Sequence, residues 1–328
     1  MSTIRWGVLG TGWMASTMAD ALAVVPDAEL IAVGSRTNEA AERFGRAHGV
    51  PKRFAQYEDL VACPDVDIVY VATPHASHAG DAALALNAGK PVLCEKPLTV
   101  NAREASHLID LAHSRSLLLM EAMWTRYVPA VVTLREWMAA GTIGAIRHVS
   151  ATLGWAREVD PAHRLFDPTR AGGALLDLGV YPVSFFSMLL GTPTDIAGVM
   201  TPAPTGVDLQ CAGTLTYANG AVATFAVSLA ADLPNEVRIV GTDGWIRVHA
   251  PMVAPESLSR GVGREVMETV QRPLLGNGYP HEVLAVNDCL RAANLESDLM
   301  PLDESLQVMQ TLDALRAPWT LKYTADLE

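Results

Sequence analysis

The sequence has few cysteines and few charged residues, and each shortage excludes a class of protein. Four cysteines are scattered along the chain without a C-x-x-C pair: Cys63, Cys94, Cys211 and Cys289. Neither a disulfide framework nor a clustered metal site is therefore expected. Isolated cysteines in an acidic chain are typical of reduced thiols, which predicts a cytoplasmic protein. Because the first predicted strand begins at Ile4, we expect no signal or transit peptide.

Only 18% of the 328 residues are charged, and the net charge is −12. This balance argues against non-specific binding to nucleic acids or anionic membranes. Half of the residues are hydrophobic, enough for a large core, and the length predicts two domains. Residues 209–231 carry no charge, but Asn219-Gly220 divides them into two short strands, so a membrane span is not expected.

Strands and helices alternate along the first third of the chain. Strand-like runs begin at Ile4 and occupy 30–35, 68–72, 91–94 and 117–120; helical patterns cover 15–24, 39–48, 58–62, 79–88 and a segment that Asn101 could cap. This alternation predicts a doubly wound parallel sheet, an α/β Rossmann domain, over residues 1–122. Ligands on such sheets bind at the carboxyl ends of the strands, so residues 10–14, 35–37, 73–78 and 95–97 should share one edge.

The first strand leads directly into a glycine turn, Gly10-x-Gly12-x-x-Ala15. Gly10 permits the tight turn, Gly12 lets a pyrophosphate approach the backbone, and Ala15 lets the helix pack closely. The helix N-terminus then directs free N–H groups at the anion. We therefore predict cofactor contacts from five consecutive residues: Gly10, Thr11, Gly12, Trp13 and Met14.

The end of the second strand indicates which nucleotide binds. NAD sites usually have an acidic residue there, whereas this chain has Ser35, Arg36 and Thr37. Arg36 can pair with a 2′-phosphate, a contact worth about 1.5–3 kcal/mol, or roughly tenfold to a hundredfold in affinity. NADP(H) is therefore predicted over NAD(H), with a solvated surface role for Arg36 as the alternative.

The pattern changes after Glu121 and predicts an α+β domain over residues 123–328. A helix at 128–140 and a strand at 147–155 precede a helical segment at 173–190, which Pro182 must kink or restart. Strand-like runs follow at 195–201, 209–218, 221–230, 236–241 and 245–249, with hairpin signals at Asn219-Gly220 and Asp243-Gly244. Helices at 281–293 and 303–316 end the chain, and the last is a candidate to pack back on the first domain.

The uncharged hairpin at 209–231 bears on assembly. Leu215, Phe225 and Val227 lie on one face of the predicted large, mainly antiparallel open sheet, and Ala212 and Ala226 lie on the other. A helix can cover one face. The other is expected to meet a second subunit, which predicts a homodimer, with burial by the chain's own loops as the alternative.

Four motifs in this order resemble the glucose–fructose oxidoreductase/inositol dehydrogenase (Gfo/Idh/MocA) family. They are the glycine turn, Thr73-Pro74-His75-Ala76-Ser77-His78, Glu95-Lys96-Pro97 and the run from Gly172 to Tyr181 (Gly-Gly-Ala-Leu-Leu-Asp-Leu-Gly-Val-Tyr). The resemblance spans nearly the whole chain. The string from Glu121 to Tyr127 and the Tyr181 ending are most similar to the branch of dimeric dihydrodiol dehydrogenases and NADP-dependent D-xylose dehydrogenases.

The resemblance implies a catalytic Lys96, whose ammonium can hydrogen-bond the reacting hydroxyl and depress the pKa of a neighbouring phenol. Asp177 and Tyr181, four residues apart, fall on one helical face. We assign Tyr181 as general acid/base and Asp177 as the group that orients the substrate hydroxyl. Many relatives have His where Tyr181 stands, so Tyr181 alone and a Lys96–Tyr181 pair both remain candidates for the proton transfer. A buried Asp–Tyr bond is the structural alternative.

Further residues are assigned from their places in these motifs. Thr73, Pro74, His75, His78 and Glu95 are expected to border the cofactor, with a helix-start role as the alternative for the histidines. Aromatic and arginine side chains suit a polyol ring, so six residues are candidates for the substrate wall, although each could equally serve packing: Trp124, Arg126, Trp155, Arg164, Phe166 and Tyr279.

The expected activity is hydride transfer between the nicotinamide C4 of NADP(H) and the carbinol carbon of a sugar, polyol or trans-dihydrodiol, without a metal. Two alternatives keep the fold. A non-enzymatic NADP(H)-responsive binding protein would bind cofactor and turn over no carbohydrate. An imine or bilin reductase would not need Asp177 four residues before Tyr181.

Overall fold

The computed structural model describes residues 2–327 and divides the chain into two compact units. The first comprises the chain up to Trp124 together with Leu275–Ser305, and the second comprises Thr125–Leu274 and the chain from Leu306 onward. The predicted boundary after residue 122 lies two residues before the observed one. The predicted second domain was continuous, whereas a segment near the C-terminus belongs to the first unit.

The first unit contains a six-stranded parallel sheet in the order β3-β2-β1-β4-β5-β6. Its strands are β1 (Ile4–Leu9), β2 (Ala28–Gly34), β3 (Lys52–Phe54), β4 (Ile68–Val71), β5 (Val92–Glu95) and β6 (Leu119–Ala122). Its helices are α1 (Trp13–Leu22), α2 (Asn38–His48), α3 (Tyr57–Val61), α4 (His78–Asn87) and α5 (Ala102–Arg115), followed late in the chain by α8 (Pro280–Arg291). The predicted α/β Rossmann class is confirmed.

Local signals predicted these helices well because the capping chemistry is short-range. Asn101 accepts a hydrogen bond from the backbone N–H of Glu104 (2.9 Å) at the start of α5, as its sequence predicted. Strand β3 was missed, because its three residues begin with two cations and carry no apolar run.

The second unit contains an eight-stranded sheet in the order β14-β13-β12-β11-β7-β10-β9-β8. Its strands are β7 (Ile146–Gly154), β8 (Asp195–Pro202), β9 (Asp208–Thr216), β10 (Val222–Ser228), β11 (Val237–Gly241), β12 (Trp245–Val248), β13 (Ser257–Val262) and β14 (Glu265–Gln271). The predicted mainly antiparallel class is confirmed, and β7 and β10 form the parallel pair. The last hairpin, β13–β14, was missed because β14 is a largely exposed edge strand with little apolar alternation.

Three helices complete the second unit: α6 (Pro129–Ala139), α7 (Val180–Leu190) and α9 (Leu302–Arg316), most of which lies in this unit. Helix α8 and the first residues of α9 belong to the first unit. The predicted 173–190 helix is a π-helical turn at Leu175–Gly179 followed by α7. Pro182 is the third residue of α7 and closely follows the π-helical turn, so its missing N–H falls where the regular helical hydrogen-bond pattern is already interrupted.

Helices cover one face of the large sheet. Helix α7 contacts β7, and a side chain built on Gly198 or Gly213 would meet Leu315 of α9. The opposite face of β8, β9 and β10 presents partly or wholly exposed residues such as Val199 (69% exposed), Thr214 and Thr224. The sheet is therefore open on this side within the unit.

Residues 168–190 are long and apolar enough to cross a membrane by composition, but 78% of the apolar window is buried inside the unit. A buried core helix passes the same test, and this segment carries both Asp177 and Tyr181.

Candidate active site

The glycine turn has the geometry that its sequence predicts. Gly10 adopts φ +105°, and a Cβ there would lie 2.6 Å from the carbonyl oxygen of Ala72 on the neighbouring strand end. Gly12, the N-cap of α1, has nothing within 4 Å of its Cβ position and faces open space. Ala15 is fully buried beneath the turn. The first turn of α1 contains no acidic residue, so its N–H groups form a cradle that fits a pyrophosphate.

Arg36 is exposed directly after β2 and lines a cavity of about 410 Å³. The other lining residues are Ala55, Gln56, Tyr57, Glu58, Thr73, Pro74, Ser77 and Asp81. Burial raises the pKa of Asp81, and the Arg36 guanidinium opposes that shift. The cavity therefore combines one cation with a partly buried carboxyl of raised pKa, at the strand edge where the adenosine end of a dinucleotide binds in such sheets. Ser35 is buried, and Thr37 caps α2 by accepting a bond from Ala40 N (3.3 Å).

His78 connects two loops at this edge. One ring nitrogen lies 2.8 Å from the carbonyl oxygen of Pro97 and the other lies 2.9 Å from that of Thr73. The ring is 1% exposed, and His75 packs edge-on against it with centroids 5.6 Å apart. His78 is also the first residue of α4. Its side chain thus holds the loop that carries Lys96 against the end of β4.

Glu95 is buried at the end of β5 and accepts hydrogen bonds on both carboxylate oxygens. Tyr70 donates its hydroxyl to Oε1 (2.5 Å), and the Lys96 backbone N–H donates to Oε2 (3.2 Å). Burial, reinforced by Glu95, raises the pKa of Tyr70 well above its usual range. Tyr70 therefore stays a donor at neutral pH. Glu95 anchors the backbone of Lys96, which is half-buried.

Two further carboxyls lie buried in this unit, and the sequence did not suggest them. Glu121 on β6 accepts a bond from Leu98 N (3.0 Å), just beyond the Lys96 loop. Glu282 on α8 is 0% exposed, and burial together with Glu95 and Glu121 raises its pKa well above the usual range. Glu282 therefore favours its neutral form more than an exposed glutamate does, which reduces the cost of burying three carboxyls in one region.

Asp177 and Tyr181 lie on one side of the segment that joins the π-helical turn to α7. Both are 7% exposed. Asp177 Oδ1 accepts bonds from both terminal nitrogens of Arg164 (3.1 Å each). Arg164, predicted as a substrate-wall residue, thus orients Asp177. One helical segment thus carries a carboxylate and a phenol four residues apart, both largely buried.

Close packing requires glycine at positions 172 and 173, directly before this segment. A Cβ on Gly172 would lie 2.6 Å from the carbonyl oxygens of Arg164 and Leu165. Gly173 adopts φ +124°, and a Cβ there would overlap the carboxyl of Asp208. The start of the segment is therefore packed against the 164–165 backbone and against β9.

The remaining wall candidates differ in what they contact. Trp124 stacks on Tyr279 at 4.2 Å, and the Tyr279 hydroxyl lies 3.8 Å from the Met14 sulfur beside the glycine turn. Arg126 is 2% exposed and donates to the side chain (2.9 Å) and carbonyl (2.7 Å) oxygens of Ser184 on α7. Phe166 is 1% exposed and Trp155 is half-buried. Arg126 and Phe166 are thus almost fully buried, and Arg126 is held to α7 by Ser184.

Between residues 2 and 327, His, Cys, Asp and Glu form no group of three or more that could hold an ion.

Comparisons with known proteins match both halves of the chain. Residues 4–123 match an oxidoreductase family with an NAD-binding Rossmann fold, and residues 131–247 match the GFO/IDH/MocA C-terminal domain. The trans-1,2-dihydrobenzene-1,2-diol dehydrogenase of Bos taurus is 36% identical over 98% of this chain and 99% of its own. The Homo sapiens protein of that name is also 36% identical, over 95% of this chain and 96% of its own.

Solved structures agree with these matches. A 3-ketoreductase from Actinomadura kijaniata, in complex with NADP and TDP-benzene, superimposes with a TM-score of 0.87 and 26% identity over 96% of this chain and 98% of its own. A levoglucosan dehydrogenase in complex with NADH shares the fold (TM-score 0.88, 21% identity, 96% and 97% of the two chains). The chain therefore belongs to the GFO/IDH/MocA oxidoreductase family, with an NAD(P)-binding Rossmann domain and the family's C-terminal domain.

Proposed function

We propose that this protein is an NADP-dependent oxidoreductase that transfers a hydride between nicotinamide C4 and a carbinol carbon of a sugar, polyol or trans-dihydrodiol. The observation that carries the proposal is that Asp177 and Tyr181, a carboxylate and a phenol four residues apart, lie on one buried helical segment. The relatives support the substrate class, since they are named as dehydrogenases of a dihydrodiol and as a ketoreductase.

Each residue has a distinct role in this proposal. The nicotinamide, when bound, accepts or supplies the hydride. Tyr181 takes the hydroxyl proton during oxidation and returns it during reduction. Lys96 holds the reacting oxygen with its ammonium, and its backbone is fixed by Glu95. Asp177, itself held by Arg164, orients the substrate hydroxyl.

The test of the activity is a screen of aldoses, inositols and trans-diols with NADP and NAD, read by nicotinamide absorbance. We expect turnover of at least one compound that has a free secondary or anomeric hydroxyl. Cofactor binding without turnover of any of them would favour a binding protein. Reduction of an imine or bilin alone would favour that other chemistry.

We further propose that Arg36 selects NADP over NAD, because it lines the cavity after β2 and no acid occupies positions 35–37. Arg36→Ala should raise the Kd for NADP about tenfold to a hundredfold, the value of a charge-assisted bond of about 1.5–3 kcal/mol. The Kd for NAD should stay unchanged. Fluorescence titration measures both.

The control for this prediction is Arg43→Ala, which removes another exposed arginine from α2 in the same unit. That variant should bind both nucleotides like the unaltered protein. An equal loss of NAD and NADP affinity in Arg36→Ala would contradict the selective role.

We propose a homodimer through the open face of β8, β9 and β10, which carries small uncharged residues such as Ala212, Thr224 and Ala226. Isologous dimers commonly bury such a face. Thr224→Arg should convert the dimer into a monomer in sedimentation velocity. Val24→Arg, which changes an exposed apolar residue of the first unit, should leave the mass unchanged. A monomeric unaltered protein would reject the dimer.

A cytoplasmic location completes the proposal. All four cysteines are buried free thiols, which is typical of a reducing compartment. The net charge of −12 supports the absence of nucleic-acid and anionic-membrane partners.

A further inference from the structure

A buried carboxyl from the large sheet contacts the backbone at the start of the segment that presents Asp177. Asp208, the first residue of β9, is 0% exposed, and its Oδ2 accepts a 2.6 Å hydrogen bond from Leu175 N. Leu175 begins the π-helical turn that contains Asp177. The first N–H groups of a helix have no partner within it, and here a neighbouring strand supplies one.

The Asp208 carboxyl is packed closely against the backbone of Gly173. Its Oδ1 accepts no hydrogen bond from the described part of the chain and lies where a Cβ of residue 173 would be. Gly173 is therefore required for the Asp208–Leu175 bond as well as for its positive φ. A buried oxygen without a partner costs stability, so the carboxyl is not explained by stability alone.

We propose that Asp208 is a positioning residue for the reaction: its carboxyl fixes the start of the turn that carries Asp177 towards the substrate. This rests on the proposed function. Arg164 holds the Asp177 side chain, and Asp208 holds the backbone two residues before it. Asp208 acts through Leu175, and no role in proton transfer is assigned to it.

The charge of Asp208 titrates near neutral pH. Burial raises the pKa of Asp208 to about 7, while the Leu175 N–H, the Cys211 thiol on β9 and the Arg316 guanidinium on α9 oppose the shift. The Tyr323 hydroxyl faces the same carboxyl from the C-terminal segment. An ionised carboxylate accepts the Leu175 bond more strongly than a neutral one, so positioning should improve as pH rises through about 7.

The free energy of unfolding should instead decrease as the pH rises. The folded pKa exceeds the unfolded value of about 4, so the folded state binds the proton more tightly. The stabilising effect of that proton is lost as pH rises from about 4 to about 7. The asparagine of Asp208→Asn does not ionise, so that variant should lack this pH-dependent loss of stability.

The experiment compares Asp208→Ala, Asp208→Asn and the control Asp67→Asn, which alters a carboxyl that accepts a backbone bond from Arg5 (2.8 Å) in the first unit. Asp208→Ala should lower kcat/KM for the substrate about tenfold to a hundredfold, with an unchanged Kd for NADP. Asp208→Asn should recover most of this loss, because its amide oxygen still accepts the bond. Asp67→Asn should keep the unaltered kcat/KM.

Hydrogen exchange and melting temperature provide two tests of Asp208 that do not depend on activity. Hydrogen exchange at residues 175–181 should accelerate in Asp208→Ala and not in Asp67→Asn. The melting temperature of the unaltered protein should fall between pH 5 and 8 relative to that of Asp208→Asn, a comparison that holds even when the alanine variant does not fold.

Unchanged kcat/KM and exchange in Asp208→Ala, or parallel melting profiles, would overturn the proposal. If the unaltered protein turns over no substrate, the proposed function fails, and unchanged exchange separately rejects the role of Asp208.

Discussion

Tyr181→Phe should lower kcat by about 10²–10⁴, the usual contribution of a positioned general acid or base, while the Kd for NADP stays unchanged. The substitution removes one hydroxyl from a side chain that is 7% exposed and retains its ring, so the packing of α7 should persist. Steady-state kinetics in both directions, together with fluorescence titration of NADP, measures the two quantities.

A matched control is Tyr217→Phe, which removes another buried tyrosine hydroxyl of the second unit. That oxygen has no hydrogen-bond partner in the described part of the chain, so its loss should alter neither kcat nor stability. Residual activity in Tyr181→Phe within threefold of the unaltered enzyme would assign the proton transfer to another group.

Lys96→Met should cause a loss of similar size, about 10²–10⁴ in kcat/KM, because the ammonium that holds the reacting oxygen is removed while the length of the side chain is kept. In the reduction direction Tyr181 must donate a proton, so its ionisation sets the alkaline limb of the pH–rate profile. The pKa of that limb should rise in Lys96→Met, because a neighbouring cation favours the ionised phenol and is removed. Rates measured from pH 6 to 10 test both statements.

The control is Lys322→Met, which removes an exposed lysine of the second unit and should leave the profile unchanged. A Lys96→Met enzyme with the unaltered rate and profile would reduce Lys96 to a surface residue.

Local chemistry explains why much of the first unit was predictable. The positive φ of Gly10 and the Asn101 cap are local features of the chain, and the uniformly apolar sequence of β4 directly indicates a buried strand. The sequence also placed Asp177 and Tyr181 on one helical segment, as the structure does.

Other parts depend on contacts between distant residues and were not predictable from one sequence. Asp208 meets Leu175 across 33 residues, and Arg126 meets Ser184 across 58. The residue type of Arg126 suggested a substrate contact, but its bond to Ser184 could not be foreseen from the sequence. Glu282 was missed because only the fold places it among buried carboxyls.

The central claim is that Lys96 and Tyr181 act on the same substrate hydroxyl, and the kcat/KM of Lys96→Met, Tyr181→Phe and the double variant tests it most directly. Groups that act as a unit are strongly non-additive. The account predicts that the double variant is scarcely slower than the slower single variant. A double variant whose loss equals the product of the two single losses would show that the two residues work independently, which contradicts the account.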